Sequence, residues 1–225
     1  MENNNQLKIG DTFKFGKYFI RDANNKDDIK WNVLDQDDET ILAISEYCLE
    51  TMNYFNHLDS IDFNWETSLV RNFLNGEFYE QAFSEKEKQA IVKREIKTGV
   101  LVTHFQTPIM TFNDLPVWDR VSILDIEEAK KYFNSNFARS SLPTKYLRNK
   151  ISHKTQDGAY VTYWLRNTTY FEPLDLISVL AVLGDGSAYG EAGFIMDGGI
   201  TPDSPNNDNG IRPVILLKKA VLGLK

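Results

Sequence analysis

The densest concentration of chemistry-bearing side chains is the coil Thr201-Pro202-Asp203-Ser204-Pro205-Asn206-Asn207-Asp208-Asn209-Gly210. Its carboxylate, amide and hydroxyl oxygens are hard donors of the kind calcium prefers, but their spacing is not that of an EF-hand loop. Asx and proline residues are also what turns are built from, and the turn reading of this stretch is preferred to the calcium one. Asp185 and Asp203 could act together as hydrolytic acid and base if the fold brought them within reach of one bond. Gly184-Asp185-Gly186-Ser187-Ala188-Tyr189-Gly190 has the glycines of a phosphate cradle, but strand-like residues follow where such a loop needs a helix, which favours a hairpin turn. His57, His104 and His153 lack metal-ligand spacing, and no nucleophile elbow is present. The lone Cys48 follows the apolar run Ile41-Leu42-Ala43-Ile44 and reads as a small core residue. No cofactor is expected, calcium being the one ion the oxygen-rich coil would favour.

Two arginines stand inside strand-like apolar runs, Arg166 in Tyr163-Trp164-Leu165-Arg166-Asn167 and Arg212 in Gly210-Ile211-Arg212-Pro213-Val214. A guanidinium keeps its charge at any pH a protein meets. On an inward face it is retained only with acceptors, and a carboxylate such as Glu66 is the expected partner. Trp65 beside Glu66 reads as an aromatic packing element next to that anchoring acid. The bland reading of Trp65, Glu66, Trp164, Arg166 and Arg212 is therefore structural, and the alternative for the arginines is an anionic ligand.

The elements that must position these groups follow from periodicity. Ile29, Trp31 and Val33 alternate with Lys30 and Asn32, and residues 7–50 read as an antiparallel meander. Ser68 caps a helix expected to end at Asn75-Gly76, and Ser84-Glu85-Lys86-Glu87 is a capping box for a helix reaching about Val92. Asp125-Ile126-Glu127-Glu128 opens a third, ending near Phe133. Val100–Val102, Val121–Leu124, Tyr160–Arg166, Leu176–Leu183, Ala188–Ile195 and Ile211–Leu217 are expected strands. Strands at both ends with helices between predict one α+β domain over 7–219 whose terminal strands pair, with a disordered leader at 1–6 and a tail at 220–225.

At 225 residues the chain can bury about 70% of its unfolded surface. A net charge of -7 disfavours nucleic acid and anionic membranes as partners. No apolar run is long enough for a membrane-spanning helix, and no secretory signal opens the chain, so the expected compartment is the cytoplasm, with a surface or phage-associated setting as the alternative.

Phe15-Gly16-Lys17-Tyr18, the Ile29/Trp31/Val33-Leu34 strand, Trp65-Glu66-Thr67-Ser68 with Arg71 and Leu74-Asn75, Trp164-Leu165-Arg166, and Gly210-Ile211-Arg212-Pro213 occur in one order. That order resembles an uncharacterised bacterial family, a domain of unknown function common in Firmicutes and their phages, over about Ile9 to Leu217. The family in turn distantly resembles the C-type-lectin-like fold of formylglycine-generating enzymes and some phage receptor-binding proteins. The resemblance implies paired terminal strands, two flanking helices and an irregular binding surface near the C-terminus. Tyr163 departs from a usual second tryptophan, and Asn167-Thr168-Thr169 from a usual Ser-Pro-Gly. The Glu-Pro-Asn and Trp-Asn-Asp triplets of sugar-binding lectins are absent, and one cysteine is too few for formylglycine chemistry.

The expected fold is thus α+β and C-type-lectin-like, mainly antiparallel, with two to four short helices. The expected function is a non-catalytic recognition module for a glycan or protein ligand, met by Thr168–Glu172, Asp185–Tyr189 and Asp203–Asn209. Tyr170, Phe171 and Tyr189 would supply amphipathic contact, and Asp185, Asp203, Asn206, Asn207 and Asp208 adaptable hydrogen bonds. A carboxylate-dependent hydrolase and a structural component of a phage or surface assembly are the alternatives.

Overall fold

The computed structural model describes residues 7–55, 64–97, 99–103, 108–112, 116–151, 160–171, 176–184 and 200–223. The expected strand Ala188–Ile195 lies outside them. The first sheet runs β1 (Thr12–Phe19), β2 (Lys26–Gln36), β3 (Thr40–Ser45), β15 (Val214–Lys218) and β10 (Val121–Ser122), all antiparallel. β5 (Ile91–Val92) shares the outer edge of β15 with β10, opposite Leu216 and Leu217. The two ends of the domain therefore share one sheet, but the terminal strands do not pair as expected. β15 meets β3, Thr40–Ile44 against Val214–Lys218, and β1 lies beyond β2 at the sheet edge, because the N-terminal meander presents its third strand to the C-terminal one. The second sheet runs β13 (Ile200–Asp203), β12 (Leu176–Val182), β11 (Tyr163–Phe171), β14 (Asn209–Ile211) and β4 (Glu50–Met52). Its β7 (Gly99–Thr103) lies parallel to the far end of β11, with β8 (Pro108–Phe112) antiparallel to β7. β6 (Arg94–Ile96) and β9 (Val117–Asp119) form a separate two-stranded ribbon. The architecture is mixed α+β, mostly antiparallel, with short helices.

β3 and β15 are apolar on successive residues because both faces of their sheet are covered. Ile41, Ala43, Ile215 and Leu217 join a large aromatic core with Trp31, Trp65, Phe78 and Trp164. Leu42, Ile44 and Val214 face a smaller core with Tyr163, Leu165, Leu147 and Leu180. β11 is split likewise, Trp164 entering the first core and its neighbours Tyr163 and Leu165 the second.

The run Ile211–Leu217 is not one strand. Arg212-Pro213 divides it into β14, in the second sheet, and β15, in the first. Proline has no N–H to give a ladder, so the pairing breaks there and the chain changes sheets. The Pro213 carbonyl still accepts from the Ser45 amide at 2.9 Å. Gly210 packs tightly beneath this crossover, where an added Cβ would lie 2.9 Å from Val161 Cγ1 and 3.1 Å from Cys48 Sγ.

Ser68 caps α1 (Leu69–Phe73) by accepting from the Arg71 amide, as its position predicts. The helix does not end at Asn75-Gly76. A π-helical turn over Leu74–Phe78 carries it on into α2 (Tyr79–Ala82). The side chain of Asn75 explains the difference. Its Nδ2 donates to the Arg71 and Val121 carbonyls (3.2 and 2.8 Å), and its Oδ1 accepts from the Arg120 and Val121 amides (2.9 and 3.2 Å). One side chain thus serves the backbone of the segment between β9 and β10 as a neighbouring strand would. Asn75→Ala is expected to cost about 1–3 kcal/mol, because it orphans several backbone groups at once. Equilibrium urea unfolding measures the loss, and Asn75→Asp, which cannot donate, should restore little of it.

α3 (Glu85–Lys88) carries the predicted capping box, Ser84 and Glu87 satisfying each other's backbone donors. It stops four residues short of Val92, since Ile91 and Val92 are drawn into pairing with β15. α4 (Ile126–Tyr132) matches its predicted bounds, capped by Asp125 with Glu128. α5 (Asn136–Arg139) and α6 (Lys145–Lys150), capped by Ser135 and Thr144, were not anticipated.

Candidate functional site

Both motif arginines sit where the sheets meet. Arg166, on β11, is 4% exposed. Its Nη2 meets Asp125 Oδ2 at 2.8 Å, and its Nη1 meets Glu128 Oε2 at 2.7 Å and also donates to the Ile123 carbonyl. The second Glu128 oxygen takes Arg94 Nη1 of β6 at 2.7 Å, and Arg94 Nη2 reaches Ser122 Oγ of β10 at 3.0 Å. Asn167, next along β11, accepts from the Ile126 amide at the start of α4 at 2.7 Å. One network therefore ties the first sheet, the ribbon, α4 and the second sheet. Burial drives both carboxyls toward the neutral form. In Glu128 the two arginines outweigh it and hold the group below its ordinary range, whereas in Asp125 burial prevails over Arg166 and the pKa is raised.

The aromatic–acid pair is built from a residue other than the expected one. Trp65 is 1% exposed, and its Nε1 donates to Asp119 Oδ2 at 2.6 Å. Arg71 Nε donates to the other Asp119 oxygen at 2.7 Å, and Arg71 Nη1 to the backbone carbonyl of Glu66 at 3.2 Å. The Glu66 side chain is exposed. Asp119, the last residue of β9, is the buried carboxylate that does the anchoring, and Glu66 offers its carbonyl. Trp164 Nε1 donates to the Met52 carbonyl at 2.8 Å, and the Tyr54 ring meets Trp164 edge-on at 5.5 Å while its hydroxyl donates to the Arg166 carbonyl at 3.0 Å.

Arg212 occupies the crossover. Its Nε donates to the Ser45 carbonyl at 3.0 Å and its Nη1 to the Arg139 carbonyl at 3.3 Å. The guanidinium lies 5.3 Å from the Phe133 ring centre and 5.7 Å from that of Tyr163, whose hydroxyl donates to the same Arg139 carbonyl at 2.7 Å. Among the described residues no carboxylate pairs with it; carbonyls and aromatic faces take that place. Cys48 is buried nearby, and desolvation pushes its thiol up to about 11, away from nucleophilic behaviour.

The expected binding surface is only partly coil. Thr168–Phe171 is strand, hydrogen-bonded to β12 on one side and β7 on the other. Thr168 and Thr169 are buried and Tyr170 is half-buried, so this stretch forms the middle of a sheet and not an irregular loop. Phe171 closes β11, and Asp203 closes β13 opposite Val179. Asp185 and Tyr189 lie outside the described residues, and with Asp185 the proposed Asp185–Asp203 pair.

Asn206, Asn207 and Asp208 are exposed, in the coil between β13 and β14. The base of that coil is fixed. Pro205 is buried, and its carbonyl accepts from the Tyr54 and Phe55 amides at 2.8 and 3.4 Å. The Asn207 amide donates to the Ser204 carbonyl at 2.9 Å, and the Asn206 amide to Ser204 Oγ at 3.4 Å. Among the described residues no three His, Cys, Asp or Glu side chains gather as a metal-binding group, and no helix is long and apolar enough to cross a membrane. One exposed feature escaped sequence reasoning: Trp118 and Arg120 on the outer face of β9 and the residue beyond it, signalled only by the inward alternation of Val117, Asp119 and Val121.

These features define a class, an α+β module in which buried arginine joints lock two sheets and an anchored Asx coil faces outward. The chain belongs to a family described as a domain of unknown function, DUF6273, which it matches over residues 38–219. β1 and β2 precede the matched region yet pair into the same sheet through β3. No curated protein and no solved structure matches the chain.

Proposed function

We propose that this chain is a non-catalytic recognition module of the C-type-lectin-like kind, folding as one domain over 7–219 and binding a glycan or a protein surface. The ligand meets the coil from Ser204 to Asp208. The observation that carries this reading is the contrast within five residues: Pro205 is buried and clamps the coil to Tyr54 and Phe55, while Asn206, Asn207 and Asp208 project into solvent. Such an arrangement orders the backbone before binding, which lowers the entropic cost of association, and presents the Asn206 amide and the Asp208 carboxylate at the exposed surface. The sheet shared by the N-terminal meander and β15, in which β15 pairs with β3, supports the lectin-like comparison. A bacterial or phage surface is the setting this reading favours.

The triple variant Asn206→Ala/Asn207→Ala/Asp208→Ala tests it. Wild-type protein is screened on glycan arrays and by pull-down against bacterial surface extracts, and any ligand found is titrated against the variant by calorimetry. Affinity should fall by at least about tenfold with the melting temperature nearly unchanged, since exposed positions rarely shift stability by more than about 0.5 kcal/mol. Undiminished binding by the variant removes the coil as the site.

A further inference from the structure

A second surface stands apart from the coil and is made of different elements. Between α2, α3 and the segment following β9 lies a cleft of about 520 Å³, lined by Tyr79, Glu80, Glu85, Lys88, Lys93 and Arg120. Val117, Asp119 and Val121 turn inward, which leaves Trp118 and Arg120 on one outer face, and Glu95 of β6 pairs opposite Trp118. Trp118 is 56% exposed, whereas Trp31, Trp65 and Trp164 are each at most 1% exposed.

Arg120 is held at both ends. Asn75 Oδ1 accepts from its amide at 2.9 Å, and its guanidinium rests 5.2 Å from the centre of the Tyr79 ring. Lys88 approaches the same ring at 5.6 Å and answers both carboxylates of the cleft, Glu80 at 2.5 Å and Glu85 at 2.8 Å. Arg120 and Lys93 are left with no carboxylate partner among the described residues, in a chain whose net charge is -7. A guanidinium resting against an aromatic ring, with no carboxylate on its fork among the described residues, is suited to bidentate capture of a carboxylate. Tryptophan and arginine are also the residues that most often dominate protein interfaces.

We propose that this cleft docks an acidic peptide segment of a partner protein, a carboxylate entering between Arg120 and Lys93 and a neighbouring apolar side chain lying on Trp118. Glu95 beside Trp118 and the two glutamates of the cleft oppose a continuous polyanion such as nucleic acid, and they fit one carboxylate flanked by uncharged residues.

The test begins with a phage-displayed random dodecapeptide library panned on the wild-type protein. The enriched sequence is synthesised and titrated by calorimetry against wild type and variants, and for wild type and Arg120→Gln also by tryptophan fluorescence, to which Trp118 contributes the exposed, red-shifted component. Enriched peptides should pair an acidic residue with an apolar one, and binding should weaken as sodium chloride is raised. Arg120→Gln and Trp118→Ala should each reduce affinity by about tenfold or more. Both positions are exposed and the Asn75 contact is to backbone, so the variants should fold, which circular dichroism verifies. The triple variant of the Asn206–Asp208 coil should bind the peptide like wild type, so this site and the coil stand or fall separately. Enrichment without acidic residues, or unchanged affinity in Arg120→Gln, overturns the proposal. So does an identical fluorescence response, at equal affinity, to inorganic phosphate alone, which would mark a small-anion site.

Discussion

Replacing Arg166 by methionine should lower the unfolding free energy by about 3–5 kcal/mol, because it breaks a buried charge network from one side only. For a chain of this size that corresponds to roughly 10 °C in melting temperature. The loss comes less from the vanished attraction than from what stays behind. Asp125 loses its ion-pair partner, Glu128 keeps only Arg94, and the Ile123 carbonyl loses a charged donor. Methionine has the length to fill the space, so a cavity is not the cause. The pH dependence separates this explanation from simple packing. Glu128 has a depressed pKa, so its stabilising contribution is present above its unfolded value and is lost as pH falls through the lower folded value. Asp125 has a raised pKa and works in the opposite sense, its ionisation costing stability as pH rises through the folded value. Removing Arg166 weakens the first effect and strengthens the second. The variant should therefore be most impaired near neutral pH and converge toward wild type in acid, as followed by thermal unfolding at a series of pH values. A deficit that stays constant with pH would assign the loss to packing.

The second large effect is expected at Gly16. The β1–β2 register shifts between Lys14 and Lys17, and Gly16 sits in that bulge with φ at +68°. An added Cβ would fall 2.6 Å from Phe83 Cε1 and 2.8 Å from the Ala82 carbonyl oxygen. The Gly16 amide also donates to Glu87 Oε1 at 3.0 Å, while Trp31 Nε1 donates to the adjoining Phe15 carbonyl at 2.7 Å. Alanine here combines an unfavourable backbone conformation with overpacking against a core ring, for a loss of about 2–4 kcal/mol. Gly16→Ala/Phe83→Leu should recover part of it by relieving the contact while leaving the backbone strain. Chemical denaturation of the two variants reads the difference. Equal stability of wild type and Gly16→Ala would mean the bulge relaxes without resistance.

How much of this was legible depended on whether a signal is local. Capping by Ser68, Ser84 and Asp125 involves residues three apart, and all three helix starts lie where those residues place them. The alternation through Ile29, Trp31 and Val33 likewise marks a strand without knowledge of its neighbours. The failures share a different character. Asn75-Gly76 looks like a helix stop until the Asn75 amide is seen to serve Arg120 and Val121, some forty-five residues away. Ile91-Val92 would continue a helix had β15 not offered a free edge. Thr168–Phe171 looks like polar coil because, although β12 follows it directly, the strand that covers its other edge is β7, from the far side of α4, α5 and α6 in the chain. The carboxylate beside Trp65 comes from Asp119, fifty-four residues on, and nothing near Glu66 announces it. Of the candidate surface, the Asn206–Asp208 coil could be read from its composition, since Asx residues between prolines and glycines favour exposed turns. Arg120 could not, because its importance lies in Asn75, Tyr79 and Lys88 arriving beside it.

The crossover at Arg212-Pro213 has a consequence for biosynthesis. Residues 209–218 supply a strand to each sheet, and they are the last strand-forming segment described in the chain. As the polypeptide emerges from the ribosome, β3 and β10 on one side and β4 and β11 on the other must wait with open ladders until that segment arrives. Such late, long-range closure makes for slow maturation and a prolonged window in which nascent chains can associate wrongly. Truncation before Gly210 would thus deprive both halves of the molecule at a stroke.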